Sequence, residues 1–433
     1  MRSAGFIILI AFLGWSCQNI DSAPASKRNT FIHLYEGLTS YAGVLAKEIP
    51  GGYLVLGNSV IYEDSVISFI ITTDLLGNEI TTTTIPDLSA KSLTILKDGS
   101  GYILVGDSIE IIPGADPAAN TEIYSTKILK VSNTGSILKT LRITDRDTAQ
   151  QRVKIDYKAS SVTVNEFNQV LLLGTYKGNI LNPERPFLAS FDPNLTTLLW
   201  TQNYDLLDRN YVNGKSVHYS NGKIVWASAI LKPQGAFNDS YLSVPLIQEN
   251  SIFLNDQFYK ENESQLLLAG DIQPAFAPEF GFGVIGTYGT TGGTETNMVF
   301  LRLNQQGSLI PGSPRYFDGL LSEGNLTLPL ETDSQTEDQG LALASTSDGG
   351  FILAGSVLST PTFGSGLRDI YLVKVDANGN PLWNKIMGGT GDEVVSSIIE
   401  TQDGGLLFCG TNTLGGFSNV FLIKTDAFGN LRN

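Results

Sequence analysis

The chain of 433 residues is poor in the side chains that build metal centres, disulfide frameworks and nucleophilic sites. It has two cysteines, Cys17 and Cys409, and two histidines, His33 and His218. With so few cysteines and histidines, the chain cannot form a disulfide scaffold or a cluster of imidazole or thiolate ligands. The glycine-rich stretch 281–293 does not lead into a helix, as a nucleotide-binding loop would. We therefore expect neither a metal nor a cofactor.

Charge is also scarce, and what there is has one dominant sign. Only 16% of the residues are charged, and the formal net charge is −15. Nucleic acid and anionic membrane surfaces are therefore poor partners. No apolar run beyond the N-terminus is long enough for a transmembrane helix. The 45 glycines, with abundant Thr, Ser and Asn, are typical of a secreted all-β protein with many turns.

The N-terminus reads as an export signal. A short basic start precedes an apolar run from Phe6 to Trp15, which at about ten residues is too short to span a bilayer. The segment Leu13–Cys17 resembles a bacterial lipobox, in which the cysteine becomes the acylated first residue of the mature chain. We expect residues 1–16 to be a signal peptide and residues 17–29 a lipidated, flexible tether. The alternative is an ordinary signal peptide that ends near a cysteine.

Two stretches near the C-terminus have the same pattern. Asp348–Gly355 leads to Asp369–Asn380, and Asp403–Gly410 leads to Asn419–Asn430. A repeat of this length, made of short apolar runs between turn signals, is typical of a β-propeller blade.

The apolar run of the repeat, ending in a small residue, occurs seven times: Tyr53–Gly57, Tyr102–Gly106, Val170–Gly174, Lys223–Ala227, Phe282–Gly286, Phe351–Gly355 and Leu406–Gly410. Another strand follows each run. We therefore predict an all-β fold, a seven-bladed β-propeller of four-stranded antiparallel blades, as a single domain over residues 30–433.

The last repeat stops before its fourth strand, at the point where the sixth continues into Pro381–Ile386. The segment Phe31–Tyr35 has the character of the missing strand and runs directly into the first blade. We predict that it is the outer strand of the last blade and closes the ring.

Two turns recur. An Asp-Gly-Gly turn joins the first two strands, and an Asp-x-x-Gly-Asn turn such as Asp376–Asn380 follows the third, with an Asp or Asn side chain capping it. The second turn contains fragments of a calcium loop but lacks its spaced acidic ligands and closing glutamate, which favours a hairpin turn.

The short turns all fall on one face of the predicted disc and the long connections on the other. We call these the turn face and the loop face. Variable loops on a rigid scaffold tend to carry function, so we predict the loop face as the binding face. Its candidate contact residues are Tyr288, Tyr316, Phe317 and Phe363. The alternative is that these aromatic side chains pack onto the blades.

The repeat resembles that of secreted propellers in bacterial surface proteins, with its Asp-Gly-Gly and Lys-x-Asp-x-x-Gly-Asn turns. Val375–Trp383 is also similar to the docking motif of quinoprotein-like propellers, which include quinone enzymes and a lipoprotein scaffold of outer-membrane protein assembly. Only Trp200 and Trp383 occupy the docking position, and no cofactor-site constellation carries over. Together with the lipobox, the repeat looks like surface or periplasmic lipoproteins of the Bacteroidota.

Acidic pairs open the inner strands of the last two blades: Glu337-Asp338 and Asp392-Glu393. Carboxylates near the axis could bind a cation or do acid–base work. Solvated strand ends or hydrogen bonds between blades are the alternative.

The expected function is non-catalytic. The resemblance implies a lipid-anchored outer-membrane protein that acts as a scaffold or accessory subunit of a membrane protein complex, with a β-barrel protein as partner. A glycan-binding lipoprotein that uses loop aromatics is the second hypothesis. A hydrolase or lyase with a site over the central channel is the third.

Overall fold

The computed structural model describes residues 30–431, except for residues 38, 63–64, 113–120, 145–154, 178–182, 205–209, 221, 232–239, 250–254, 260–264, 277–279, 291–295, 320–336 and 361–362. Every regular element in this part of the chain is a β-strand. It contains no helix with the length and apolar character needed to cross a membrane. Cys17 lies outside the described residues.

The strands form seven four-stranded antiparallel sheets, the blades, as the sequence predicted. From the innermost strand outward, blade 1 comprises β2 (Tyr41–Ile49), β3 (Gly52–Tyr62), β4 (Ser65–Asp74) and β5 (Glu79–Pro86). Blade 2 comprises β6 (Ser89–Ile95), β7 (Tyr102–Ile112), β8 (Thr121–Val131) and β9 (Ile137–Ile143). Blade 3 comprises β10 (Asp156–Val164), β11 (Val170–Lys177), β12 (Arg185–Phe191) and β13 (Leu198–Asn203).

Blade 4 comprises β14 (Asn210–Ser220), β15 (Lys223–Leu231), β16 (Ser240–Gln248) and β17 (Asn255–Tyr259). Blade 5 comprises β18 (Gln265–Pro274), β19 (Phe282–Thr290), β20 (Thr296–Leu303) and β21 (Arg315–Phe317). Blade 6 comprises β22 (Gln339–Ser345), β23 (Phe351–Thr360), β24 (Phe363–Val375) and β25 (Pro381–Met387). Blade 7 comprises β26 (Asp392–Glu400), β27 (Leu406–Leu414), β28 (Phe417–Thr425) and the N-terminal strand β1 (Phe31–Tyr35).

The predicted closure of the ring is confirmed. Strand β1 pairs antiparallel with β28, with Phe31 opposite Lys424 and Tyr35 opposite Val420. The Tyr35 side chain is buried, and its hydroxyl donates a hydrogen bond of 2.8 Å to the carbonyl oxygen of Gly77 in blade 1. The first strand of the chain thus joins the last blade to the first.

Each inner strand carries a β-bulge at the same level, for example between Val395 and Ser397 in blade 7. The bulge directs a carbonyl group at the neighbouring strand β27, where a Cβ on Gly410 would collide with the carbonyl oxygen of Val394. Gly57, Gly106, Gly174, Gly286 and Gly355 are crowded by inner-strand carbonyl oxygens in the same way. Close backbone approach therefore explains the repeated small residue.

Blade 4 departs slightly from the predicted pattern. Its register places Ser228 opposite Asn213, just before the bulge, so the position of the repeated glycine is Ser228 and the predicted Ala227 is one residue off. The bulge is also larger than in the other blades, because the pairing resumes only at Val217.

The repeated turns are held by side chains, as predicted. The carboxylate of Asp376 accepts hydrogen bonds from the backbone N–H groups of Asn378 (2.9 Å) and Asn380 (2.8 Å), and Gly379 has a φ of 81°. Burial alone would raise the pKa of Asp376, but these hydrogen bonds outweigh it and lower the pKa. Ser132 and Asn304 make the equivalent contacts in blades 2 and 5.

The lysine of the repeat links the Asp-Gly-Gly turn to the strand end that leads into the Asp-x-x-Gly-Asn turn. The Lys424 side chain is fully buried, and its ammonium group donates to Asp403 at 2.9 Å and to the carbonyl oxygen of Thr425. Lys374 makes the same contacts with Asp348 and Val375. The Lys-x-Asp and Asp-Gly-Gly motifs recur together because they form one ion pair.

The hydrophobic core consists of layers between the blades. One such layer joins Ile352 and Leu372 of blade 6 to Val395 and Phe408 of blade 7. At the outer edge Trp383 of blade 6 packs on the next turn, since a Cβ on Gly429 would lie 3.4 Å from its ring. Burial of this apolar surface couples each blade to its neighbour.

We expect Tyr35→Ala to lower the free energy of unfolding by about 3 kcal/mol or more, because it removes a buried aromatic ring from the closure. The control is Ile32→Ala on the same strand, where the side chain is exposed and the cost should stay below about 1 kcal/mol. Urea unfolding measures both. Equal effects of the two variants would contradict a sealing role for β1.

Candidate functional site

A cavity of about 560 Å³ lies on the axis of the ring, between the inner strands of all seven blades. Each inner strand pairs with one neighbour only, so its other edge faces the axis. The volume falls within the range of small-molecule sites. We call this space the axial cavity.

The inner strands are linked around the axial cavity by hydrogen bonds from one blade to the next. At five of the seven interfaces, a residue just after the bulge, or at the end of the larger bulge in blade 4, accepts a hydrogen bond from a backbone N–H of the following blade. The five bonds are Ala46 N to Ser397 Oγ (2.9 Å), Val162 N to Ser92 Oγ (3.4 Å), Val217 N to Ser161 Oγ (3.1 Å), Ile272 N to Ser216 Oγ (3.4 Å) and Leu343 N to Asp271 Oδ2 (3.1 Å). Leu45 and Ala342, at the other two interfaces, offer no acceptor.

Asp271 is the exception in this ring. Its carboxylate accepts the hydrogen bond from the next blade that a serine hydroxyl accepts at the other four interfaces. It also accepts hydrogen bonds from Ser216 Oγ and from the backbone N–H of Ile272. A neutral hydroxyl is sufficient for this task elsewhere in the same molecule. The buried carboxylate of Asp271 has a second effect that serine would not have, because its negative charge stabilises the ammonium groups of Lys47 and Lys215 in the axial cavity.

Asp271 shares the axial cavity with Lys47 of blade 1 and with Lys215 and His218 of blade 4, and Lys91 and Glu400 also line it. Burial lowers the pKa of Lys47 and Lys215, and the negative charge of Asp271 partly opposes this shift. Burial, with a smaller effect of Lys47, lowers the pKa of His218 to about 4. His218 is therefore neutral at pH 7.

Lys215 crosses the axial cavity. It lies in the enlarged bulge of blade 4, and its ammonium group donates a hydrogen bond of 3.1 Å to the carbonyl oxygen of Ser396 in blade 7. The side chain is exposed to the cavity, yet its pKa is lowered because the surrounding blades keep bulk water away.

Two residues beyond each of these acceptor positions, the same strands carry a second level of cavity-lining residues. In blades 1 to 5 these are polar: Lys47, Thr94, Thr163, His218 and Gln273. We call these five residues the polar collar. Blades 6 and 7 have Ala344 and Ile399 at this level.

The aromatic residues predicted for the binding face lie mainly in packed positions. Tyr288 belongs to β19 and is 9% exposed, with its ring 4.8 Å from that of Tyr316 in β21. Phe317 is 1% exposed. Phe363 begins β24, but its side chain is outside the described part. Several predicted loops are continuations of β-hairpins, and Tyr288 and Phe317 pack within those strands.

The predicted acidic pairs do not line the axial cavity. Glu337 pairs with Arg368 at 2.6 Å, and Asp338 accepts a hydrogen bond from the N–H of Gly319. Glu393 accepts a bond from Asn412 at 2.6 Å, and burial raises its pKa. Local contacts account for Glu337, Asp338 and Glu393, whereas the Oδ1 atom of Asp392 is buried without a hydrogen-bond partner among the described residues. No group of three or more His, Cys, Asp or Glu side chains in the described residues has the arrangement of a metal site.

The residues of the axial cavity were missed by sequence reasoning. An alignment of the seven inner strands would have found them, since Asp271 stands where other blades have Ser92, Ser161 and Ser397. That alignment requires the bulge positions, and the larger bulge in blade 4 displaces Lys215 and His218 from the common spacing.

Comparison with known proteins gives no family. No family model matches the chain, and no curated protein matches it. Among solved structures, the β-propeller domain of the Trilobed protease from Pyrococcus furiosus is similar with a TM-score of 0.43 and 10% identity, over 91% of this chain and 98% of that one. A subtype N10 neuraminidase-like protein of a bat influenza A virus has a TM-score of 0.40, with 10% identity over 91% and 99%.

A variant of the apocarotenoid oxygenase of Synechocystis matches with a TM-score of 0.37 and 10% identity, over 59% of this chain. The chain spans 56% of the length of that oxygenase. Likenesses at this level carry no information on activity, and the function has to be argued from the residues.

We expect Asp271→Ser to lower the free energy of unfolding less than Asp271→Ala does, because a serine hydroxyl accepts the same backbone hydrogen bond in other blades. Asp271→Ala removes the acceptor and leaves the N–H of Leu343 unpaired, which should cost about 1–3 kcal/mol. Urea unfolding of both variants at pH 7 gives the comparison. A serine variant as unstable as the alanine variant would show that the carboxylate itself is needed for folding.

Proposed function

We propose that the protein is an exported lipoprotein, acylated at Cys17, whose propeller acts as a non-catalytic scaffold or accessory subunit of an outer-membrane protein complex. The observation that carries this proposal is the place of β1. Phe31 lies opposite Lys424, next to the turn Asp426–Asn430, so the chain enters the disc at the turn face.

A tether attached to β1 would therefore leave from the turn face. As a flexible chain, residues 18–29 would have an r.m.s. reach of about 20 Å and a maximum of about 40 Å. A lipid at Cys17 would hold the disc close to the membrane with its turn face directed toward it. The loop face would then point away from the bilayer.

Exposed apolar side chains support the turn face as the contact surface. Four blades begin their outer strand, just beyond the turn face, with an exposed aliphatic residue: Ile80 (62% exposed), Leu138 (56%), Leu198 (52%) and Leu382 (55%). Phe428 is exposed in a turn of the same face. We call these five residues the apolar rim. Contact with a membrane-embedded protein partner would remove these exposed apolar side chains from water.

The loop face, predicted from the sequence as the binding face, has many of its connections outside the described residues, so it remains a prediction. The glycan-binding alternative relied on loop aromatics, of which Tyr288 and Phe317 are buried.

We expect Cys17→Ala to move the protein from the membrane fraction to the soluble fraction, because the variant lacks the acylated residue. Fractionation with an antibody against the chain, together with incorporation of a labelled fatty acid, measures this. Cys409→Ala is the matched control, since that thiol lies fully buried within the propeller. Unchanged fractionation of the Cys17 variant would overturn the anchor.

A mild-detergent pull-down of the tagged lipoprotein tests the scaffold. We expect a stoichiometric outer-membrane protein, and at least tenfold less of it with the triple variant Ile80→Lys, Leu138→Lys, Leu382→Lys. Leu367→Lys on the loop face is the control, and it should leave recovery unchanged. Recovery of the lipoprotein alone would contradict the scaffold function.

A further inference from the structure

We propose that the axial cavity binds a small hydroxylated monocarboxylic acid, such as a sugar acid, with Lys47 and Lys215 at its carboxylate and the polar collar at its hydroxyl groups. This site is independent of the lipid anchor and of any partner at the apolar rim.

The charges of the axial cavity are unbalanced at its centre. The two ammonium groups of Lys47 and Lys215 face one carboxylate, Asp271, which leaves one positive charge in excess. His218 is neutral at pH 7, because its pKa lies at about 4. A charge kept from bulk water is costly unless a counter-charge accompanies it. A monoanion supplies that counter-charge.

The other charged groups at the cavity are already engaged. Lys91 of blade 2 forms an ion pair of 3.5 Å with Asp107. Glu400 lies at the turn-face end of β26, where it accepts hydrogen bonds from the N–H and hydroxyl of Ser347. The carboxylate that acts on Lys47 and Lys215 is that of Asp271, and Glu400 has no comparable effect on either lysine.

The polar collar offers hydrogen-bonding groups that have no protein partner. The side chains of Thr94, Thr163 and Gln273 form no hydrogen bond with another described residue, and neither does the ammonium group of Lys47. The Nε2 atom of His218 is buried and has no partner either. Blades 1, 2, 3 and 5 thus present donors and acceptors to one space, a pattern suited to a ligand with several hydroxyl groups.

The structure favours a carboxylate over a phosphate. A phosphate dianion would overcompensate the single excess positive charge. The described residues also offer no helix N-terminus, the usual cradle for a phosphate group. A monocarboxylate matches the charge, and the two lysines can each donate to one of its oxygens.

Isothermal titration calorimetry of the detergent-solubilised full-length protein provides the test, with galacturonate and glucuronate as probes. Galactose and glucose are the matched neutral ligands, and inorganic phosphate is the competing anion. We expect at least one of the acids to bind about tenfold or more tightly than its neutral counterpart. Equal binding of acid and neutral sugar, absence of binding by both acids, or tighter binding of phosphate would overturn the proposal.

The substitutions come from the protein's own repeat, which limits the risk of misfolding. Lys47→Thr introduces the residue that blades 2 and 3 have at this level, and it should weaken galacturonate or glucuronate binding about tenfold. Lys97→Thr, an exposed lysine in a turn, should not change the affinity. If the Lys47 variant loses its native melting transition, Lys215→Ser serves instead, since blade 7 has Ser396 at that bulge. Native affinity in a folded variant would exclude the site.

Two further measurements distinguish a ligand site from a purely structural cluster. Asp271→Ser should bind the acid several-fold more tightly, because it removes a carboxylate that competes for the same lysines. The affinity of the native protein should fall as the pH rises through the lowered pKa of the lysines, since the ammonium charge is lost there. Weaker binding by Asp271→Ser, or affinity that rises with pH, would contradict the proposal.

Discussion

The structure depends on how the seven inner strands satisfy the backbone hydrogen-bonding groups on their unpaired edges. An inner strand has a partner on one side only, and the backbone groups on its other edge need hydrogen bonds that no neighbouring strand can supply. Side-chain acceptors from the adjacent blade provide them at five interfaces through Ser92, Ser161, Ser216, Asp271 and Ser397. Each such bond contributes about 1 kcal/mol to the free energy of unfolding. It also holds the inner strands of neighbouring blades at a defined separation around the axis.

Several features of the sequence follow from this constraint. The bulge in each inner strand brings the acceptor toward the next blade, and the bulge requires a small residue on the second strand. A polar residue follows that glycine, and four of these residues form a second set of contacts. Asn58, Asp107, Thr287 and Thr411 accept hydrogen bonds from the N–H groups of Ala90, Ala159, Gly340 and Gly43 in the following blades.

The same constraint creates the candidate site. Because the acceptor at each interface stands at the axis, replacing one serine by Asp271 places a carboxylate in the axial cavity. The enlarged bulge of blade 4 brings Lys215 into the same space. A strongly acidic protein, with a net charge of −15, thus places Lys47 and Lys215 beside Asp271 in the centre of its ring. The other blades form the same inter-blade hydrogen bond with serine, so the fold alone does not require a carboxylate at position 271.

Much of the fold could be predicted from the sequence because its signals are local. The Asp-Gly-Gly and Asp-x-x-Gly-Asn turns mark strand ends directly, and the missing fourth strand of blade 7 pointed to Phe31–Tyr35. The axial cavity could not be predicted, because Lys47, His218 and Asp271 meet only through the bulges and the closure of the ring. The aromatic side chains of Tyr288 and Phe317 are buried because they lie in strands β19 and β21, whose extent the turn signals do not indicate.

Residue-resolved hydrogen exchange of seven backbone amides tests the role of the axial hydrogen bonds most directly. The amides are those of Ala46, Leu93, Val162, Val217, Ile272, Leu343 and Ile398, one at the same level of each inner strand. Five of them donate to a side chain of the preceding blade, and we expect these to exchange slowly. Leu93 and Ile398 face Leu45 and Ala342, which offer no acceptor, and should exchange at least tenfold faster. Equal rates at all seven positions would contradict the view that side-chain acceptors hold the ring together.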